Sequence, residues 1–178
     1  MQKRRTTRNR AAITSQRPSI VIGVDPGASA GLAVVNVAHN PGLLFEKRCI
    51  VSVKGIDLTV SNFAELAIGA TMGLPCIAVV EDQYVGVNMK TAITLSQRSG
   101  QWIEAFLSKG IPVERVSASS WQARELPGMK KREMLKKAAR AKAAGIWGHD
   151  VGPDVADAAL MARYRAIDIV YKGWHGSL

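Results

Sequence analysis

The sequence predicts an α/β fold, a mixed five-stranded sheet flanked by helices. Three observations lead there. Short β-branched runs stopped by Gly or Pro alternate with longer stretches of helical spacing. The first three runs follow one another through short turns containing Gly or Pro, which suits an antiparallel meander, whereas helices separate the later ones. A length of 178 residues at 47% apolar composition supports one well-buried domain and falls short of two of ordinary size.

Each element has its own warrant. Residues 19–25 (SIVIGVD) are β-branched and end at Pro26-Gly27, a buried strand stopped by a turn. Residues 31–37 form the second strand and residues 43–53, of mixed polarity, the third. Residues 57–72 set Leu58, Phe63, Leu66, Ala67 and Ala70 at helical spacings and end near Gly73. Residues 75–81 (PCIAVVE) are a short continuous apolar run, expected of a central strand covered on both faces. Residues 88–109 read as a long helix in which Gly100 marks a close helix contact or a break. Residues 111–116 give the fifth strand, and residues 117–129, with Trp121, a loop. A basic helix over 129–144 precedes a last helix over 154–171, whose apolar face includes Val155, Ala158, Leu160 and Ile167.

Composition narrows the class of function. There are 24 Lys and Arg against 14 Asp and Glu, a formal net charge of +10, which favours polyanionic partners, nucleic acid before anionic membrane. No apolar stretch approaches the ~20 residues that span a bilayer. The N-terminus lacks the apolar region of a secretory signal, so the expected setting is a reducing compartment, the cytoplasm. Cys49 and Cys76 make no disulfide framework and no zinc spacing; both read as small buried hydrophobes. Charge is clustered in two places. Residues 1–18 contain Lys3, Arg4, Arg5, Arg8, Arg10 and Arg17 and no acid, a flexible basic arm that could contact phosphates, solubilise the chain or serve as an organelle-targeting segment. The remainder, 19–178, is the folded domain. The second cluster, from Arg124 to Lys142, places Lys130, Lys131, Arg132, Lys136, Lys137 and Arg140 on or beside the basic helix, where they would hold phosphates.

The acids point to chemistry. Asp25 closes the first strand, Glu81 closes the apolar strand, and Asp154 and Asp157, three apart, project from one face at the start of the last helix. Strand ends on one sheet edge plus a helix start can bring four carboxylates together. Like charges at close range raise one another's pKa, and Mg²⁺, or Mn²⁺ in its place, resolves this because it is hard and oxygen-seeking. Two such ions can activate a water on one side of a phosphodiester and stabilise the leaving oxygen on the other. Taken singly, each acid also has an ordinary role as turn former, solvated strand end, N-cap or surface charge. Asp150 and His149 compete as further ligands. Order and context join the four: strand-end Asp, strand-end Glu, then a late helical Asp-x-x-Asp in a basic chain.

That order resembles the RuvC-type Holliday-junction resolvases of the ribonuclease H-like superfamily. The resemblance rests on Ile22-Gly-Val-Asp-Pro-Gly27 with Gly31-Leu-Ala-Val-Val35, on Val80-Glu81-Asp-Gln-Tyr84, on Leu95-Ser-Gln-x-x-Gly100, and on Asp154-Val-Ala-Asp157-Ala-Ala-Leu160. It covers nearly the whole chain after the arm. It implies a ribonuclease H-like fold and a homodimer that binds four-way DNA and makes two symmetrical nicks with magnesium, leaving 5′-phosphates. It needs neither a nucleotide cofactor nor a membrane. Asp25, Glu81, Asp154 and Asp157 fall on the family's metal-binding acids, and Tyr84 falls on an aromatic that stacks on junction bases, an interaction worth ~1–3 kcal/mol. Lys131, or Lys130 beside it, lies near the family's catalytic basic residue, where a cation would stabilise developing phosphorane charge. By the same resemblance the helix over 88–106, with Ala92, Leu95, Trp102, Ile103 and Phe106, is the candidate dimer face. The 117–129 loop departs most from the family. Three other readings compete. Sugar-kinase and actin-like ATPases share the strand-end Asp but need two such domains. A non-catalytic junction or RNA binder would not need all four acids. A ribonuclease H-like nuclease would act on hybrids or other branched DNA.

Overall fold

The computed structural model describes residues 16–27, 30–37, 60–82, 89–148 and 150–174. Strands β1 (Ile20–Asp25), β2 (Gly31–Asn36), β3 (Cys76–Asp82) and β4 (Val113–Ser117) form one sheet in the order β2-β1-β3-β4. β1 and β2 pair antiparallel as a hairpin with Asp25 opposite Gly31. β1–β3 and β3–β4 are parallel, so the sheet is mixed, as the order of elements predicts. Four strands are present among the described residues where five are expected; the expected third strand, 43–53, lies outside them.

Among the described residues five helices flank the sheet: α1 (Val60–Gly69), α2 (Met89–Leu107), α3 (Ala118–Glu125), α4 (Arg132–Trp147) and α5 (Pro153–Lys172). Alternation along β1 sorts the core into two layers. Ile20, Ile22 and Val24 face one way and pack with Phe63 of α1 and Trp102 and Phe106 of α2. Val21, with Val79 of β3, faces the other way onto α3, α4 and the apolar face of α5. Because β1 and β3 are covered on both sides, they read as continuous apolar runs.

Several expectations are corrected here. The 117–129 segment contains helix α3: Ser117 caps it through its hydroxyl, which accepts from the Ser120 backbone N–H at 3.2 Å. α2 runs through Gly100 without a break, and a Cβ there would meet nothing within 4 Å among the described residues. Trp102 and Phe106, assigned to a dimer face, are core residues, with ring centroids 6.3 Å apart, and Ala92 is also buried. Ile93 and Leu107 are large apolar residues that α2 exposes. Cys76 is half-buried rather than buried. Arg17, counted in the basic arm, donates to the Ile169 carbonyl at 3.3 Å; residues 1–15 lie outside the described residues. No helix among the described residues is long and apolar enough to cross a membrane.

Two glycines set the distance between sheet and last helix. A Cβ on Gly23 would stand 2.1 Å from the Ala158 carbonyl oxygen, and one on Gly31 would stand 2.0 Å from that of Asp154. Only a missing side chain lets α5 lie this close. Gly31 is paired with Asp25 across the hairpin, so the contact that admits the helix also brings its first turn beside the strand-end acid.

Candidate active site

Parallel pairing of β1 with β3 matches Val24 with Val80, and the following residues, Asp25 and Glu81, therefore emerge side by side at the carboxyl ends of the two central strands. α5 begins at Pro153, whose missing N–H costs nothing at a helix start. Asp154 sits in the first turn, where the helix dipole favours a negative charge, and Asp157 follows one turn on. All four acids of the predicted constellation are thus gathered at one end of the sheet.

Their electrostatics follow from this placement. Asp25 is pushed up to about 7, first by burial and then by the charges of Glu81, Asp157 and Asp154, against the Gly27 backbone N–H that donates to it at 3.2 Å. Asp157 is likewise pushed up to about 7, by burial first, then by Glu81 and Asp154, with Lys136 opposing. Glu81 is raised by burial, against the hydrogen bond it accepts from the Trp121 indole at 2.9 Å and against the field of Lys136. Burial opposes the charge of Lys136, but its hydrogen bond to Asp154 at 3.1 Å and the fields of Asp154, Asp157 and Asp25 prevail and raise it. The four carboxylates face one another within electrostatic reach. Among the described residues, however, no three His, Cys, Asp or Glu side chains stand close enough together to hold a common ion. Like charges at this range push apart. The donor set fits a hard divalent cation in type, because every donor is a carboxylate oxygen and burial leaves their mutual repulsion only partly offset by Lys136.

The basic residues divide into two groups. Lys136, expected among the phosphate contacts, touches the acid cluster through Asp154. Lys131 is the exposed N-cap position of α4, and its side chain makes no capping bond. Lys130, Arg132 and Lys137 are exposed beside it. Arg140 is engaged by Asp150, with Nε donating to Oδ1 at 2.7 Å, so Asp150 answers Arg140 rather than the cluster. Lys136, Lys137, Arg140 and Asp150 line one open groove next to Pro153. Other cations tie helices together. Lys142 and Arg163 pair with the buried Glu125 at 2.7 and 2.5 Å, and Arg124 pairs with Asp168 and lies over the Tyr164 ring. Tyr84 and His149 lie outside the described residues.

Two site residues were not read from sequence in these roles. Lys136 gave no spacing signal that set it apart from its basic neighbours. Trp121 carried one, a large apolar residue in an otherwise polar stretch, without an indication of which acid its N–H would meet.

No family model matches the sequence. The chain is similar to the crossover junction endodeoxyribonuclease RuvC of Pelotomaculum thermopropionicum, with 31% identity over 98 residues, 53% of this chain and 60% of the relative. The match therefore spans less than two thirds of the length of that curated relative. In fold the chain is similar to T. thermophilus RuvC in complex with Holliday junction substrate, with a TM-score of 0.67 at 19% identity over 89% of this chain and 99% of the other. A second Thermus thermophilus RuvC structure gives a TM-score of 0.63 at 20% identity over the same shares of the two chains. The fold is that of RuvC, an expectation of the sequence that both structures support.

Proposed function

We propose that this chain is a RuvC-type endodeoxyribonuclease that resolves four-way DNA junctions in recombination and repair, with a divalent metal ion as cofactor. The observation that carries the reading is the meeting of Asp25, Glu81, Asp154 and Asp157 at one end of a RuvC-like sheet. In it those four acids hold Mg²⁺, or Mn²⁺ in its place, two ions per site. The cations would activate a water and shield the scissile phosphate. Asp25 would be held in common by the ions, with Glu81 and Asp157 or Asp154 completing their carboxylate ligands. Lys136 offers its ammonium to the negative charge that develops on the phosphate, the role first expected of Lys131 or Lys130. Exposed Lys130, Lys131, Arg132 and Lys137 hold phosphates of a junction arm, positioning it without reading sequence, and Arg140 joins them where Asp150 releases it. Tyr84, three residues after Glu81, stacks on a junction base. A homodimer places two such sites for paired nicks that leave 5′-phosphates, in the cytoplasm, with residues 1–18 as a basic arm ahead of the nuclease domain.

Cleavage of a labelled four-way junction with Mg²⁺, beside Asp157→Asn, tests this. Paired symmetrical nicks by the wild type, with the variant binding but cutting at least ~100-fold more slowly, are expected. Cutting of RNA/DNA hybrids but not junctions would make it a ribonuclease H-like nuclease of another specificity. Tight binding without cleavage in both Mg²⁺ and Mn²⁺ would make it a junction binder.

A further inference from the structure

Glu81 lies beside Val116 where β3 pairs with β4, and Asp82 lies beside Ser117. Ser117 caps α3, so the chain enters that helix level with the acid. One turn on, Trp121 is completely buried among the side chains on the α5 side of the sheet. Its indole Nε1 donates to Glu81 Oε1 at 2.9 Å. An indole N–H is a donor only, so it pins a carboxylate oxygen without ever competing for a cation or accepting a proton. A ring locked in a packed core cannot follow a wandering carboxylate. The far end of α3 is anchored as well. Lys142 Nζ donates to the Glu125 carbonyl at 2.6 Å, and the Glu125 carboxylate is held between Lys142 and Arg163. Glutamate also has one more side-chain torsion than aspartate, so of the four acids Glu81 gains most from an external constraint.

We propose that Trp121 is a positioning residue whose buried N–H fixes the Glu81 carboxylate and thereby sets the affinity of the acid cluster for a divalent cation. The inference rests on the metal-dependent reading above. It is tested on the full chain by calorimetric titration with Mn²⁺. Trp121→Phe, which keeps an aromatic ring and removes the donor, weakens Mn²⁺ binding about tenfold, the usual effect of losing a partner behind a ligand. In a Glu81→Gln background the same substitution changes affinity less than twofold, because its effect runs through that carboxylate. Unchanged affinity in Trp121→Phe overturns the inference alone, as does an equal loss in both backgrounds, which would mark a general packing defect. Failure of the wild type to bind Mn²⁺ overturns the metal reading and this inference with it.

A second measurement leaves the core intact. Among the indole N–H resonances of the four tryptophans, that of Trp121 moves on Glu81→Gln. It also moves on Mg²⁺ titration of the wild type, and the Mg²⁺ response disappears in Glu81→Gln. A Trp121 resonance indifferent to both changes overturns the proposal.

Discussion

Asp25 and Asp157 destabilise the metal-free fold at neutral pH, and the sign follows from their protonation. Both groups hold a proton more tightly folded than unfolded, since each rises from 3.8 to about 7. The penalty is absent below about 4, grows as pH climbs, and is complete above about 7. For one group such a rise corresponds to roughly 4 kcal/mol as an upper bound. Asp25→Asn or Asp157→Asn is therefore expected to raise the melting temperature in EDTA at pH 8 and to leave it nearly unchanged at pH 4. Thermal scans at the two pH values check this; a variant melting below wild type at pH 8 would refute it. Lys136 works in the opposite sense. Its bond to Asp154 is partly solvated, so Lys136→Gln is expected to lower metal-free stability by only about 1 kcal/mol. The same change lowers junction cleavage about 100-fold or more while binding falls only slightly, as single-turnover rates beside gel shifts would reveal.

Among the elements, α5 carries the greatest constraint, because it packs on β1 and β2 where two glycines admit it. Gly23→Ala and Gly31→Ala each press a methyl group onto helix backbone, and denaturant unfolding is expected to show losses of ~3 kcal/mol or more. Gly145→Ala, on α4 with open space around it, is expected to gain ~0.5–1 kcal/mol. A neutral Gly31→Ala would mean that the helix can retreat from the strand. These elements also show what a sequence discloses. β1, β3 and α5 were legible because apolar periodicity and a Pro-Gly turn report local backbone directly. The four acids were legible because strand ends and helix starts mark one edge of a sheet. α3 was missed because, with Trp121 and Glu125 its buried residues, it is too short and polar to show a period. Trp102 and Phe106 were misassigned because an apolar helix stripe looks the same whether it meets a sheet or a second subunit. Pairings across the fold, Lys136 with Asp154 and Trp121 with Glu81, depend on docking and leave no mark in spacing.

At the scale of the molecule, the positive charge is partly committed to internal pairs. Arg140, Arg124 and Lys142 answer Asp150, Asp168 and Glu125, whereas Lys130, Lys131, Arg132 and Lys137 remain exposed. Changing those four together to Gln is expected to flatten the salt dependence of junction binding by about 0.9 in log–log slope for each phosphate no longer neutralised. Arg140→Gln alone should change it less than Lys137→Gln, and a larger effect of Arg140 would show that its pair with Asp150 opens on DNA. The close seating of α5 on β1 has a kinetic consequence as well. Three of the site's four acids come from the first strand and the last helix of the described chain, so the cluster is complete only after the longest-range contacts form. Such contacts are slow to form, because loop closure must precede any gain from them. A partly folded chain thus carries its exposed basic residues without a complete acid cluster, and on the proposed function competence to cut would arrive late, with cooperative folding.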